Sequence, residues 1–461
     1  MATPASVGSR ALRASKQPLK NFVQGRRGLA AAASGSFEYQ TGEAAGVKYA
    51  SRDLPTATTT LAVVAKAGSR YQPGPGFSDA LEKFAFKSTF KRSTLRITRE
   101  AELLGGELSA YHNRENLVLR AKFLKEDLPY FTELLGEVIT KTRYTTHELN
   151  EEVFHVMKLD QKGLLASPLS LAINSVHSTA FHRGLGVPTN ATSSTPFTKY
   201  LDAQSVADYS DAAYARNNIA VVANGADHSE FAKWVADFFQ DVKTGSTEYK
   251  LSSEPTKYYG GEERIAHASS DVMIIAFPGS SSFTSGQSFK PELTVLAALL
   301  GGQSSIKWSP GFSSLSRAAA DFPQAHVSTQ NAAYTDAGLL YVTITGKASD
   351  IAKASKAVVD TLKSIASGNV SDEDITKATA LAKFRALEAG QQTEAGLEAT
   401  GMGLISNSKA YQIDELGQRI GKVTADQVKN AAKSLLEHRA TVSSVGDLFV
   451  LPWAEEIGLK V

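Results

Sequence analysis

Residues 117–123 (LVLRAKF) alternate in strand fashion. Three polar residues, Lys125, Glu126 and Asp127, separate them from residues 128–139, where apolar positions recur with helical spacing. Thr145-Thr146-His147-Glu148-Leu149 then reads as a helix start before a further helical run. The same order returns later. Residues 340–346 (LYVTITG) are strand-like, Ser349 and Asp350 precede a helical run over 351–365, and Ser371-Asp372-Glu373-Asp374-Ile375 opens another. The Ser371/Asp374 pair has the spacing of a capping box. Leu117 lies 223 positions before Leu340, and Thr145 lies 226 before Ser371.

The flanks of these blocks also match. Residues 58–67 and 271–278 are β-rich runs, each followed by a Gly/Ser break and then a helix. Residues 213–225 (AYARNNIAVVANG) and 433–446 (KSLLEHRATVSSVG) share a helix end, a polar turn, a strand and a closing Gly. A chain that repeats itself at this period is predicted to fold as two similar units. The expected fold class is α+β. Two homologous halves of helix-on-sheet layers, residues 38–243 and 265–461, face each other across a cleft. Residues 244–264, rich in Ser, Thr, Gly, Lys and Tyr and without a period, are read as the linker.

Residues 1–37 differ from the rest. They hold Arg10, Arg13, Lys16, Lys20, Arg26 and Arg27 but no acid before Glu38, and Ser and Ala are frequent. The basic positions 10, 13, 16 and 20 share one helical arc, with Leu12, Leu19, Phe22 and Val23 on the adjoining one. This is the composition of a mitochondrial transit peptide, with cleavage expected between Arg27 and Ser36. The 461-residue chain has a formal charge of +2, and loss of those six positive charges would leave −4. Neither value makes the field that nucleic-acid binding requires. With no Cys there is neither a disulfide framework nor a thiolate site. Apolar stretches such as 295–300 fall far short of the ~20 residues of a membrane span, so membrane residence is expected only through partners.

Residues 67–92 (AGSRYQPGPGFSDALEKFAFKSTFKR) carry the most specific pattern. Here the chain resembles the pitrilysin-type zinc peptidases, in the branch of the mitochondrial processing peptidases and respiratory core proteins. Ala67-Gly68-Ser69-Arg70-Tyr71 and Phe86-Lys87-Ser88-Thr89 match the segments that flank H-x-x-E-H in that family. In the motif, two His one helical turn apart bind zinc and the Glu acts as general base on metal-bound water. Asp79 and Lys83 stand at the two His positions, and only Glu82 is kept. An ammonium has no lone pair to offer a dication. Residues 176–181 (VHSTAF) also match, and counting back from them puts Asp160 at the third ligand position, with Leu159 as its neighbour. Glu152 is nearest to a further family acid. Asp79 and Lys83, four apart, are read as a surface pair, and Ser78 as the N-cap of their helix. None of the nine His forms a zinc motif of its own.

The resemblance implies a non-catalytic chain in which Asp79, Glu82, Lys83 and Asp160 are vestigial motif positions, with no metal and no cofactor. It implies a subunit of mitochondrial ubiquinol–cytochrome c reductase, peripheral on the matrix side of the inner membrane. Its partners in that dimeric complex would be core protein 1, cytochrome b, cytochrome c1 and the Rieske protein. An alternative is the non-catalytic, substrate-binding alpha subunit of the mitochondrial processing peptidase. The segment 301–311 is poorer in Gly than the glycine-rich loop of that subunit. Tyr334-Thr335-Asp336-Ala337-Gly338-Leu339 is similar to a further family segment.

Overall fold

The β-rich runs pair into two sheets of matching topology. In the first half the strands are β1 (Gln40–Ala44), β2 (Val47–Arg52), β3 (Thr58–Ala65), β4 (Glu107–His112), β5 (Leu117–Leu124) and β6 (Ile219–Asn224). In the second they are β7 (Gly261–Ala266), β8 (Asp271–Pro278), β9 (Ala325–Ala333), β10 (Gly338–Gly346) and β11 (Thr441–Gly446). The orders are β1-β2-β6-β3-β5-β4 and β7-β11-β8-β10-β9. Without β1 they are the same order, with the parallel pair β2–β6 answered by β7–β11. This computed structural model describes residues 37–192, 197–246, 249–284, 288–303 and 311–461. The basic leader up to residue 36 and positions 304–310 of the glycine segment lie outside the described residues.

Two boundary readings change. β7 starts at Gly261, inside the stretch read as linker. Its residues follow no strand alternation because this edge strand is half-buried along both faces. The Phe77–Phe84 helix is capped by Gly76 at φ 89°, not by Ser78. Ser78 is instead buried within the helix, its hydroxyl 3.3 Å from that of Tyr209. Thr145 and Ser371 do cap their helices, each accepting from a backbone N–H three residues on. The Asp374 carboxylate pairs with Arg317.

Each sheet presents two apolar faces. Helices of its own half cover one: Leu61, Val63 and Val221 pack with Phe131, Leu135 and Phe231, and Ile275 and Val342 pack with Ile351, Val359 and Val428. The other face is covered by the opposite half. The Pro168–Phe181 helix lays Ala172, Val176, Ala180 and Phe181 on Val272, Ile274, Ala276 and Val445 of the second sheet. The Leu397–Asn407 helix lays Leu397, Met402 and Leu404 on Ala62, Val64, Val118 and Val222 of the first. The two halves are therefore cross-covered, each donating one helix to its twin.

A buried ion pair pins the same junction. Arg70 donates to Glu115 at 2.9 Å and, through both terminal nitrogens, to Asp336 at 2.6 Å. Its Nε donates to Ser253 in the connecting segment at 2.8 Å, and the Thr256 N–H donates to Asp336 at 2.9 Å. Glu115 also accepts from the Thr335 N–H at 2.9 Å. The guanidinium is 4% exposed, so charge and hydrogen-bond partners are satisfied together in a dry place.

Gly401 lets the exchanged helix come close: a Cβ there would lie 2.5 Å from Val64 Cγ2. Gly401→Val is expected to lift this helix off the first sheet. It should lower unfolding stability by about 1–3 kcal/mol in urea titrations, whereas substitution at Gly421, which meets nothing within 4 Å, should have little effect.

Candidate functional site

The Phe77–Phe84 helix turns Phe77, Ala80, Leu81 and Phe84 into the core. Asp79, Glu82 and Lys83, spaced i, i+3 and i+4, lie along another face, and Glu82 and Lys83 line the cleft between the halves. This part of the cleft, about 760 Å³, is lined from both halves, by Glu82, Lys83, Asn116 and Asp160 on one side and Ala333, Tyr334 and Glu398 on the other.

Lys83 is the centre of the cluster. Its Nζ lies 2.7 Å from Glu82, 2.8 Å from Asp160 and 3.9 Å from Asp79. After the π turn at Leu149–Val153, it is Asp160 and not Leu159 that meets the ammonium. Glu152 instead pairs with Lys87. The reading of Asp79 and Lys83 as a surface pair fails: Asp79 is 1% exposed, and the shorter bonds of Lys83 go to Glu82 and Asp160. Packing against β4 and the Phe154–Ala166 helix closes that face, which local spacing does not reveal.

His112, at the end of β4, joins them. Its Nδ1 bonds Glu82, and its Nε2 lies 2.9 Å from the carbonyl oxygen of Thr189. Both ring nitrogens thus face oxygen acceptors, which holds the ring as imidazolium. Nothing near His112 in the chain signals this role, because its partner stands 30 residues away. His177 has the opposite state. Its Nδ1–H donates to the Ile173 carbonyl at 2.7 Å, while Nε2 accepts from the Tyr334 hydroxyl at 2.8 Å. Burial, with the Arg114 charge nearby, drives it well below its ordinary value and keeps it neutral.

Electrostatics follow from this geometry. Burial penalises the Lys83 ammonium, but Asp160 and Glu82 outweigh it and raise its pKa. Burial likewise opposes the charge on His112, and the Glu82 bond and charge overcome it and raise the ring. Burial would raise Glu82, yet His112 and Lys83 hold it below the usual carboxylate value. Asp79 is pushed up to about 6 by burial, which the His112 and Lys83 charges only partly offset.

The family motif calls for zinc here, and the donor set does not suit it. Asp79, Glu82 and His112 do present ligand atoms within 4.8 Å of one another. However, both nitrogens of His112 are committed, and an ammonium sits against Glu82 and Asp160. A second cation would be repelled, and Lys83 offers no lone pair. Two protein cations face three carboxylates here, supplying the positive charge that a zinc ion would bring to such a site.

Duplicated sheets, an inter-half cleft and a motif helix define a scaffold of the two-domain metallopeptidase class, with Asp79 and Lys83 where the class motif has imidazoles. Residues 48–193 match the family model described as insulinase (peptidase family M16), and residues 200–381 match that of the peptidase M16 inactive domain. Among curated relatives, the mitochondrial cytochrome b-c1 complex subunit 2 of Neurospora crassa is 50% identical over 95% of both chains. Its Schizosaccharomyces pombe counterpart is 35% identical over 95% of this chain and 98% of its own. The mitochondrial-processing peptidase subunit alpha of Solanum tuberosum is 26% identical over 88% of this chain and 81% of its own. The chain belongs to peptidase family M16, in the group formed by the mitochondrial cytochrome b-c1 complex subunit 2 proteins.

The raised Asp79 gives a pH signature. The folded state holds its proton more tightly than the unfolded chain does. Its contribution is therefore fully present below the unfolded value of 3.8 and is lost as pH rises through about 6. Asp79→Asn should be nearly neutral at pH 4 or below. Above pH 6.5 it should raise unfolding stability by an amount on the order of 2–3 kcal/mol, read from urea titrations across that range.

Proposed function

We propose that the chain is a non-catalytic structural and assembly subunit of mitochondrial ubiquinol–cytochrome c reductase. It supports electron transfer from ubiquinol to cytochrome c by ordering the matrix face of the complex. Asp79, Glu82, Lys83 and Asp160 are a vestigial peptidase site that binds no metal and performs no hydrolysis. The observation that carries this reading is Lys83 Nζ placed between Glu82 and Asp160, where a hydrolase of this class needs a neutral nitrogen on zinc. The names of relatives at 35–50% identity point to the same complex. Likeness to the processing-peptidase alpha subunits is weaker, at 24–26%.

The subunit attaches through partners. Among the described residues no helix is long and apolar enough to cross a membrane. Several large side chains lie open on the surface, including Phe90 at 76%, Leu103 at 86% and Phe449 at 103% exposure. Apolar residues left this open suit burial against neighbouring subunits. Core protein 1, cytochrome b, cytochrome c1 and the Rieske protein are the proposed neighbours in a dimeric complex at the matrix side of the inner membrane. The basic leader, residues 1–37, directs import.

Three measurements test this. In a native gel of mildly solubilised mitochondrial membranes, the chain is expected to comigrate with cytochromes b and c1. Recovery in the soluble matrix with presequence-cleaving activity would instead establish the processing peptidase reading. Glu82→Gln should leave quinol oxidation by the assembled complex unchanged, and tag-free wild-type protein should contain no stoichiometric zinc by mass spectrometry. One zinc per chain would overturn the vestigial site.

A further inference from the structure

The second half holds a cavity at the place where the first half holds its charge cluster. The matching strand orders make β9 the counterpart of β4. His112 pairs with Leu117, which pairs with Ala65 of β3. In the second sheet Asn331 pairs with Leu340, which pairs with Phe277 of β8. His112 and Ala333 each close their hairpin before a four-residue turn, so Ala333, which lines the cavity, is the counterpart of His112, and Asn331 stands two residues before it on the same strand face. On the Pro291–Leu300 helix, Thr294, Ala297 and Ala298 repeat the i, i+3, i+4 spacing of Asp79, Glu82 and Lys83, and they face the same cavity as Asn331. Ala386 stands as far from the cap Ser371 as Asp160 does from the cap Thr145, and it too lines the cavity. On the helix and strand that correspond to those of the first cluster, Thr294, Ala297, Ala298 and Ala333 are small and uncharged.

What remains is a space of about 440 Å³, the size of a small-molecule site, walled by Phe283, Phe289, Tyr411 and Leu416. Its floor is unusual. Along β9 the row facing the helices runs Ala325 and Val327, both in the core, and then changes to Thr329 and Asn331. Thr329 Oγ1 and Asn331 Oδ1 are buried and have no hydrogen-bond partner among the described residues. Buried oxygens in folded proteins nearly always have a partner, so these two mark where a donor belongs. At the rim stands Arg385, exposed and without an ion pair among the described residues. Lys409 and Arg419, both over the Phe283 ring, pair with Glu415.

We propose that this cavity is a binding site for an amphiphilic organic anion. Its apolar or aromatic body fills the space between the rings, an N–H or O–H on that body bonds Asn331 Oδ1 and Thr329 Oγ1, and its acid group pairs with Arg385. The site is independent of the vestigial cluster and of membership in any complex.

8-Anilinonaphthalene-1-sulfonate has all three features and becomes fluorescent on transfer from water, so it serves as the probe for the purified full chain. One saturable site is expected. Arg385→Glu should weaken it about tenfold, Asn331→Leu should weaken it severalfold, and Ala386→Trp, which fills the cavity, should abolish it. Thermal melts report whether each variant is folded. Should the Trp variant fail to fold, the exposed Arg385→Glu change decides. Absence of a saturable site, or equal affinity in wild type and the Arg385 variant, would overturn the proposal.

Discussion

A five- or six-stranded sheet of Val, Ile, Leu and Ala has two apolar faces, and helices of its own half cover only one. Everything else in this molecule follows from how the second face is kept from water. Each half sends one helix across: Pro168–Phe181 onto the second sheet and Leu397–Asn407 onto the first. The exchange is reciprocal, so neither half completes its core alone. The ends of β4 and β9 both line the cleft.

The Arg70 pair sits on this junction and joins segments more than 250 residues apart. Arg70 belongs to the AGSRY segment and Asp336 to the YTDAGL segment, while His177 of the VHSTAF segment bonds Tyr334. Three stretches that stand out as family marks in the chain thus meet at one place. They fasten one half to the other beside the cleft. A buried Arg and its acids leave heavy penalties when one is removed.

The two clusters at equivalent places in the halves solve the same problem differently. A helix face meets a strand end and leaves a hollow. In the first half Lys83 and His112 fill it with positive charge balanced by Asp79, Glu82 and Asp160. In the second half Thr294, Ala297, Ala298 and Ala386 withdraw from it and leave a space. The motif positions 79, 82 and 83 were legible through the resemblance of the segments that flank them, and one turn of helix brings i, i+3 and i+4 together. The burial of Asp79, the imidazolium at His112 and the hollow in the second half were not. Each depends on what a distant segment places against the helix.

The strand–helix–helix blocks that begin at β5 and β10, their duplication and the caps at Thr145 and Ser371 were present in the chain as local pattern. Periodicity and side-chain chemistry act over a few residues, so they can be read there. Only the tertiary structure decided which half covers which sheet face, where β7 begins, that Gly76 and not Ser78 starts the motif helix, and which charges neutralise one another. Those outcomes are contacts between residues tens to hundreds of positions apart. The free energy that selects them comes from burying apolar faces and pairing buried charge, quantities that exist only once the segments are in place.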